Sequence, residues 1–203
     1  AGTWETGPAA LDVAAIREDI ARAWYAAAGQ PQHPAEGSTM PLADKEGAYT
    51  WCKAPRLDGQ VVETGALARQ MVAGHPLVRD MVARSGGSVA ARVVARLLEL
   101  ALVLPAMERW LTELVPGEPW CITAHPADET TGVGLIEAAR GSLGHWLTVR
   151  RGRIHNYQII APTTWNFSPR DAGGQPGALE QALAGLPATE SGPVPAAVHH
   201  VVR

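Results

Sequence analysis

Cysteine is nearly absent from this chain of 203 residues: only Cys52 and Cys121 occur, with 68 residues between them. Two distant thiols cannot build a disulfide framework, and the spacing of a zinc ribbon is missing. Charge is scarce as well, 18% of residues against a typical ~25%. Lys plus Arg number 17 and Asp plus Glu 20, a formal net charge of −3. No long basic run breaks that balance, which argues against nucleic acid or an anionic membrane as partner. A surface so lean in charge is read as one partly covered by another protein. Residues 1–8 lack the basic start and apolar stretch of a leader. The most apolar stretch, 93–107, is interrupted by Arg96, Glu99 and Pro105, and it is shorter than the ~20 apolar residues of a membrane span. Internal repeats are absent.

The mass, 21.4 kDa, suits one large domain or two small ones, with chain enough to bury roughly two-thirds of its extended surface. Residues 1–203 are read as a single domain. The start without Met and the stop at Val201-Val202-Arg203, just after an apolar run, are read as marks of a piece of a longer protein.

Leu11, Ala15, Ile16, Ile20 and Trp24 have helical spacing within an Ala-rich stretch, so propensity predicts a helix over 13–25. Gly29, Pro31, Pro34, Gly37, Pro41 and Gly47 are too dense for a regular element, so 29–50 is a loop. Asp58-Gly59 is a turn signal. A helix opens at Thr64 or Gly65 and is stopped by Gly74 and Pro76; a second, 76–84, ends at Gly86-Gly87. Ser88 caps the longest helix, 88–115. Its apolar positions (Val89, Val93, Leu97, Leu100, Leu104, Met107, Leu111, Leu114) wrap more than one face. A helix of that kind is buried on most sides, so it is expected to be the central core helix, with a kink imposed by Pro105. Gly132, Gly134, Gly141 and Gly144 predict a loop. Segments 145–149 and 154–160 alternate in polarity around Gly152 and predict a β-hairpin. Pro162, Pro169 and Pro176 mark an irregular segment, followed by a short helix at 177–185. The stretch 185–195 is a surface connection or lid. The fold class is α+β, mainly α.

Candidate chemistry is thin at first sight. His125, His145, His155, His199 and His200 are scattered and lack the i, i+4 pairing of a metalloprotease helix. No Gly-x-Ser-x-Gly elbow surrounds Ser142. The glycine cluster lacks the Lys-Ser/Thr of a phosphate loop, and turn formation explains it. Two segments carry more. In Glu137-Ala138-Ala139-Arg140-Gly141, the small neighbours let Arg140 reach into a closed site; equally, Arg140 could pair with Glu137. In Ala161-Pro162-Thr163-Thr164-Trp165-Asn166-Phe167-Ser168-Pro169-Arg170-Asp171, a rigid polar segment can present donors to an anion or satisfy its own backbone.

These two segments, in this order and spacing, resemble the C-terminal half of the large subunit of nickel–iron hydrogenases. The resemblance covers nearly the whole chain. It includes Ile16-Arg-Glu-Asp-Ile-Ala-Arg-Ala-Trp24-Tyr25, His33-Pro-Ala-Glu36-Gly37, Tyr49-Thr-Trp51-Cys-Lys53-Ala-Pro55-Arg56, Gly65-Ala-Leu67-Ala68-Arg69 and the long helix. The wording Ile159-Ile-Ala-Pro162-Thr-Thr-Trp165-Asn-Phe-Ser-Pro169-Arg-Asp171 is most similar to hydrogen-sensing and uptake-type members. The family has extended chain before its Trp-Tyr, which opposes the helix predicted over 13–25.

The sequence departs from the family twice. Both Cys-x-x-Cys pairs that hold nickel and iron are missing, and Cys52 and Cys121 do not sit at ligand positions. Ala139 stands where the family usually has Pro.

The resemblance implies a Ni-Fe centre with carbon monoxide and cyanide ligands that splits H2 heterolytically, with the metals as Lewis acid. It implies that Arg140 and backbone N–H groups near Ala139 face one cyanide and overhang the open position between the metals. The Thr163 hydroxyl and N–H, set by Pro162, would face the other cyanide. A carbonyl near Ile159 would help hold magnesium. An iron–sulfur small subunit is the implied partner. The chain would be cytoplasmic in a sensor type and membrane-associated through partners in an uptake type. The rival reading is a non-catalytic, large-subunit-like assembly or scaffold protein; a stand-alone ligand-binding module is disfavoured by the apolar, Trp-bearing composition.

The absent thiolates give a direct expectation. The soft ligand set that selects such a centre is missing, so metal analysis of the purified chain should find nickel and iron far below one equivalent. Stoichiometric metal would refute it.

Overall fold

The computed structural model describes residues 2–4, 8–26, 29–125, 127–186 and 196–202, with only the backbone given at 2–4 and 8. Strand β1 (Gly2–Trp4) pairs antiparallel with β2 (Pro8–Ala10). One 3-10 turn, Val13–Ala15, follows, capped by the Asp12 carboxylate on the Ala14 N–H at 2.9 Å. The chain then extends as β3 (Ile16–Asp19), antiparallel to β4 (Ala54–Leu57). The helix predicted over 13–25 is therefore not formed, and the extended chain of the resemblance is found. Two side-chain effects override propensity. Ile16, Glu18 and Asp19 are all buried against other segments. The Asp19 carboxylate accepts the Ala21 N–H at 2.6 Å and the Ala172 N–H at 3.0 Å, a local bond that competes with the helical ladder.

Residues 29–50 hold no helix or strand among those described, as their Gly/Pro density predicts. Beyond β4, Asp58 (φ 48°) and Gly59 (φ 72°) make the expected turn. Helix α1 (Ala66–Ala73) runs from Gly65 to Gly74, whose φ of 81° closes it. Helix α2 (Pro76–Ser85) opens on proline, whose fixed φ suits a first helical position. Helix α3 (Val89–Glu113) is capped by the Ser88 hydroxyl on the Ala91 N–H at 3.3 Å and continues through Pro105.

The long helix is not a central core helix in this chain. Only Ala91 and Ala95 of α3 are buried, while Leu97, Leu100 and Leu104 are 60–61% exposed. Length explains it. At 1.5 Å per residue, α1 and α2 are only about 12 and 15 Å long, whereas α3 spans about 37 Å. The two short helices cover its N-terminal part through Leu67, Met71 and Val78, with Met81, Val82 and Leu98 alongside. Apolar patterning settles that a face needs cover; it does not supply the covering element.

The glycine-punctuated loop is likewise replaced by a strand. A three-stranded antiparallel sheet runs β5 (Glu129–Ala138), β6 (Gly141–Arg150), β7 (Arg153–Ile160), in that spatial order. Glycine here serves close approach rather than a turn: Gly132 lies over the Leu147 side chain and Gly144 against the Trp146 ring. The expected hairpin around Gly152 is present. Arg150 pairs with Arg153, and the two-residue connection has φ of 52° at Arg151 and 66° at Gly152, the left-handed pair that suits strand twist.

After β7 the expected irregular stretch contains one helical turn, α4 (Pro162–Asn166), started by its proline. Short helices α5 (Ala178–Leu183) and α6 (Ala196–Val202) follow; α5 lies where a helix was expected. Most of the surface connection expected at 185–195 lies outside the described residues. A second core joins β3, the sheet and α4 through Ile16, Trp146, Ile160 and Trp165, flanked by Val13, Leu57 and Val62. Residues Val62 and Ala66 belong to different cores, so the short segment between them links the two.

The two cores set an expectation. Ile160 is fully buried, so Ile160→Ala should cost ~2–5 kcal/mol. Leu104→Ala, on the open stripe of α3, should stay within about 0.5 kcal/mol. Urea denaturation of both variants checks the contrast.

Candidate functional site

Strands β5 and β6 close on the pair Ala138–Gly141, leaving Ala139 and Arg140 as the two-residue turn. Gly141 has a φ of 136°, and a side chain there would run into the Thr64 hydroxyl and the Gly65 N–H. The turn is thus pressed onto the residues that precede α1. Ala139 and Arg140 are exposed. The pairing of Arg140 with Glu137, one of the two sequence readings, does not form. Glu137 instead accepts from the Arg69 guanidinium at 3.1 Å and from the Ser142 hydroxyl.

Arg69 holds this turn. Its Nε and Nη2 grip the two Glu99 oxygens at 2.7 and 2.6 Å. Nη1 and Nη2 also donate to the carbonyls of Ala138 at 2.8 Å and Ala139 at 3.1 Å. The bond to Glu99 raises the Arg69 pKa against the effect of burial. Burial pushes the Glu99 carboxyl up, but the donors of Arg69 and Gln70 outweigh it and hold it below its ordinary value.

On the other side, α4 buries Pro162, places Trp165 in the second core and leaves Thr163 exposed at the helix start. Asn166 fastens that turn to the same corner. Its amide oxygen accepts the Thr64 N–H at 2.9 Å, and its amide nitrogen donates to the Thr64 carbonyl at 2.9 Å. The segment following α4 is tied to β4 by Arg56, whose guanidinium meets the Asp171 carboxylate at 3.0 Å, the Ser168 hydroxyl at 3.2 Å and the Pro169 carbonyl at 3.1 Å. Both candidate segments therefore abut Thr64 and Gly65, and the outer ends of β6 and β7 lie side by side, with Gly144 opposite Ile160. Sequence reasoning missed Thr64, Arg69 and Asn166 as organisers of the site. Their motifs were visible, but only as a helix start and as parts of larger patterns.

Behind β7, Lys53 Nζ donates to Gln158 Oε1 at 2.7 Å and lies 3.4 Å from Glu18 Oε2. Burial raises the Glu18 pKa, with Lys53 offsetting part of the rise. Gln158 directly precedes Ile159, near which the resemblance implies a carbonyl that helps hold magnesium.

Among the described residues, no three His, Cys, Asp or Glu side chains gather to hold a metal ion. Cys52 is half-buried with its sulfur 3.7 Å from the Thr164 carbonyl, and burial, with Glu18 nearby, pushes its thiol up to about 11. That is the opposite of a ligand poised as thiolate. The donor set present does not fit the ligation of a nickel–iron centre; what this site offers is hydrogen-bond donors.

A family model for nickel-dependent hydrogenases matches residues 5–199. The chain belongs to the nickel-dependent hydrogenase family. It is 36% identical over 172 residues to the periplasmic NiFeSe hydrogenase large subunit of Desulfomicrobium baculatum, covering 76% of this chain and 34% of that one. It is 34% identical over 214 residues to the hydrogenase-1 large chain of Escherichia coli K12, covering 85% of this chain and 36% of that one. The Ni-Fe-Se hydrogenase structure from D. vulgaris Hildenborough superposes with a TM-score of 0.90 at 35% identity, over 98% of this chain and 45% of that chain. The chain thus spans about a third of the length of these curated relatives. No helix of the described residues is long and apolar enough to cross a membrane.

The double bond between Asn166 and the Thr64 backbone is testable. Asn166→Asp sets a carboxylate oxygen against the Thr64 carbonyl, which should cost ~1–3 kcal/mol at pH 7. The deficit should shrink as the pH falls through the carboxylate range, because a protonated acid donates again. Stability measured against pH reads both effects.

Proposed function

We propose that this chain provides part of the catalytic large subunit of a nickel–iron hydrogenase, with Arg140 as the residue that serves the hydrogen-activating site. The observation that carries the reading is Arg140 itself. It is exposed on a turn whose flanking carbonyls are gripped by Arg69, in a family whose relatives are named as hydrogenase large subunits. Among the described residues its guanidinium has no hydrogen-bond or ion-pair partner. Five N–H groups on a planar cation, left free at a fixed place, suit a negatively polarised ligand.

On this reading, thiolates from outside this sequence would bind the nickel and iron, with carbon monoxide and cyanide on the iron. The centre supplies the Lewis acidity for splitting H2. The residues of this chain bind and orient at its edge. Arg140, with the backbone at Ala139, would donate to one cyanide, and Arg140 would lie over the open position between the metals. Thr163, fixed by Pro162, donates to the other. Ala139, in place of the usual proline, leaves the wall over the site looser. A magnesium ion held with the help of a carbonyl near Ile159 and an iron–sulfur small subunit complete the proposal. The relatives' names, periplasmic and uptake, favour an uptake-type enzyme over a cytoplasmic hydrogen sensor. The apolar stripe left open on α3 supports the reading as part of a large subunit, because a helix exposing Leu97, Leu100, Leu104 and Leu111 is suited to packing within a larger assembly.

In a full-length large subunit carrying this sequence, Arg140→Lys should lower hydrogen oxidation at least 100-fold while nickel and iron stay bound. Lysine keeps the charge and loses the planar fork. Thr163→Val should cost less, since the backbone N–H remains. An Arg140→Lys enzyme of unchanged rate would remove Arg140 from the site, and a full-length protein that never acquires metal would favour the scaffold reading.

A further inference from the structure

Arg69 makes contacts that an ion pair between helices does not need. The neighbouring Arg92 gives the comparison: it grips the two Glu63 oxygens at 2.7 Å each, tying α3 to the segment before α1. Arg69 makes an equivalent two-pronged pair with Glu99, and then spends its remaining N–H groups on Glu137 and on the carbonyls of Ala138 and Ala139. Those carbonyls immediately precede Arg140. A two-residue turn has few internal bonds of its own, and this one joins an edge strand, β5, that is exposed along most of its length. The α1 helix, by contrast, is anchored in the first core through Ala66, Leu67 and Met71.

We propose that Arg69 is a positioning residue for Arg140. Its guanidinium transfers the rigidity of the α1–α3 core to the Ala139-Arg140 turn and so fixes where the Arg140 side chain starts. The assignment rests on the reading of Arg140 given above. Glu99 holds Arg69 in place from α3, and Glu137 holds it from β5. The planar fork is essential, because one ammonium group cannot span a carboxylate and two successive carbonyls. The Asn166 amide does the corresponding work for the Thr163 turn, at the adjacent residue Thr64.

The test is backbone 15N relaxation on the purified full chain, comparing Arg69→Lys with Arg92→Lys. Each variant loses one two-pronged pair to α3, so a purely structural role predicts equal effects. With Arg69→Lys, the order parameters at Ala139 and Arg140 should fall from about 0.85 to below about 0.6, and the Ala138 and Ala139 carbonyl 13C shifts should move. With Arg92→Lys neither should change. Glu99→Gln, which loosens Arg69 without removing it, should produce a smaller fall at the same two residues and serves if Arg69→Lys does not fold. A turn as rigid in Arg69→Lys and Glu99→Gln as in the parent, or one loosened equally by Arg92→Lys, overturns the proposal. Arg140→Lys in the metal-loaded large subunit separates the two claims: an unchanged rate there overturns the functional reading of Arg140, whereas relaxation alone decides whether Arg69 sets the turn.

Discussion

A guanidinium that leaves water must find partners for five N–H groups, and Arg69 finds them on three different elements. Its partners are a carboxylate on α3, a carboxylate and the last carbonyl of β5, and one carbonyl of the turn that leads into β6. Bonds to ionised acceptors are the stronger kind, and they lie here at the seam between a helical layer and a sheet. Without them, the β5–β6 turn would keep its strand pairing, the Ser142–Glu137 bond and its contact with Thr64 and Gly65, but lose its tie to the helices.

The seam matters because neither core reaches across it. One core is a packing of α1 and α2 against the first turns of α3; the other gathers Ile16, Trp146, Ile160 and Trp165. The residues from Val62 to Ala66 connect them, and polar bonds lock that connection: the Asn166 amide on Thr64, and Arg92 on Glu63. Farther along, Arg56 binds Asp171, Ser168 and Pro169 from inside the protein. Breaking such a buried pair from one side leaves an uncompensated charge. Hydrophobic burial holds each half together, and directional bonds decide how the halves meet.

The same division explains the position of the candidate site. Arg140 and Thr163 both sit at element starts beside the seam, on turns whose own backbones are tied down by neighbours. Their side chains are exposed in this chain, as are the apolar positions along the second half of α3. The chain spans about a third of the length of these relatives.

The helices α1, α2 and α3, their caps at Ser88 and Gly74, the β6–β7 hairpin and the family itself were legible in the sequence. Each is encoded within a few consecutive residues: a period of three or four, a capping hydroxyl, a left-handed turn, or an unusual run such as Pro162-Thr-Thr-Trp165-Asn166. Arg140, Pro162 and Thr163 stand out as candidates through the resemblance that such runs carry. Three things were decided only by tertiary structure. The stretch 13–25 forms no α-helix and is extended over Ile16–Asp19 because Asp19 and Glu18 find partners more than 25 residues away, on Ala172 and Lys53. The glycines at 132 and 134 lie in a strand because β6 pairs with this stretch, Leu147 opposite Gly132 and His145 opposite Gly134. Arg69 meets the carbonyls of Ala138 and Ala139 across some 70 positions. Local patterning fixes which way a backbone prefers to fold, but a hydrogen bond between distant residues depends on where the rest of the chain has put its partner.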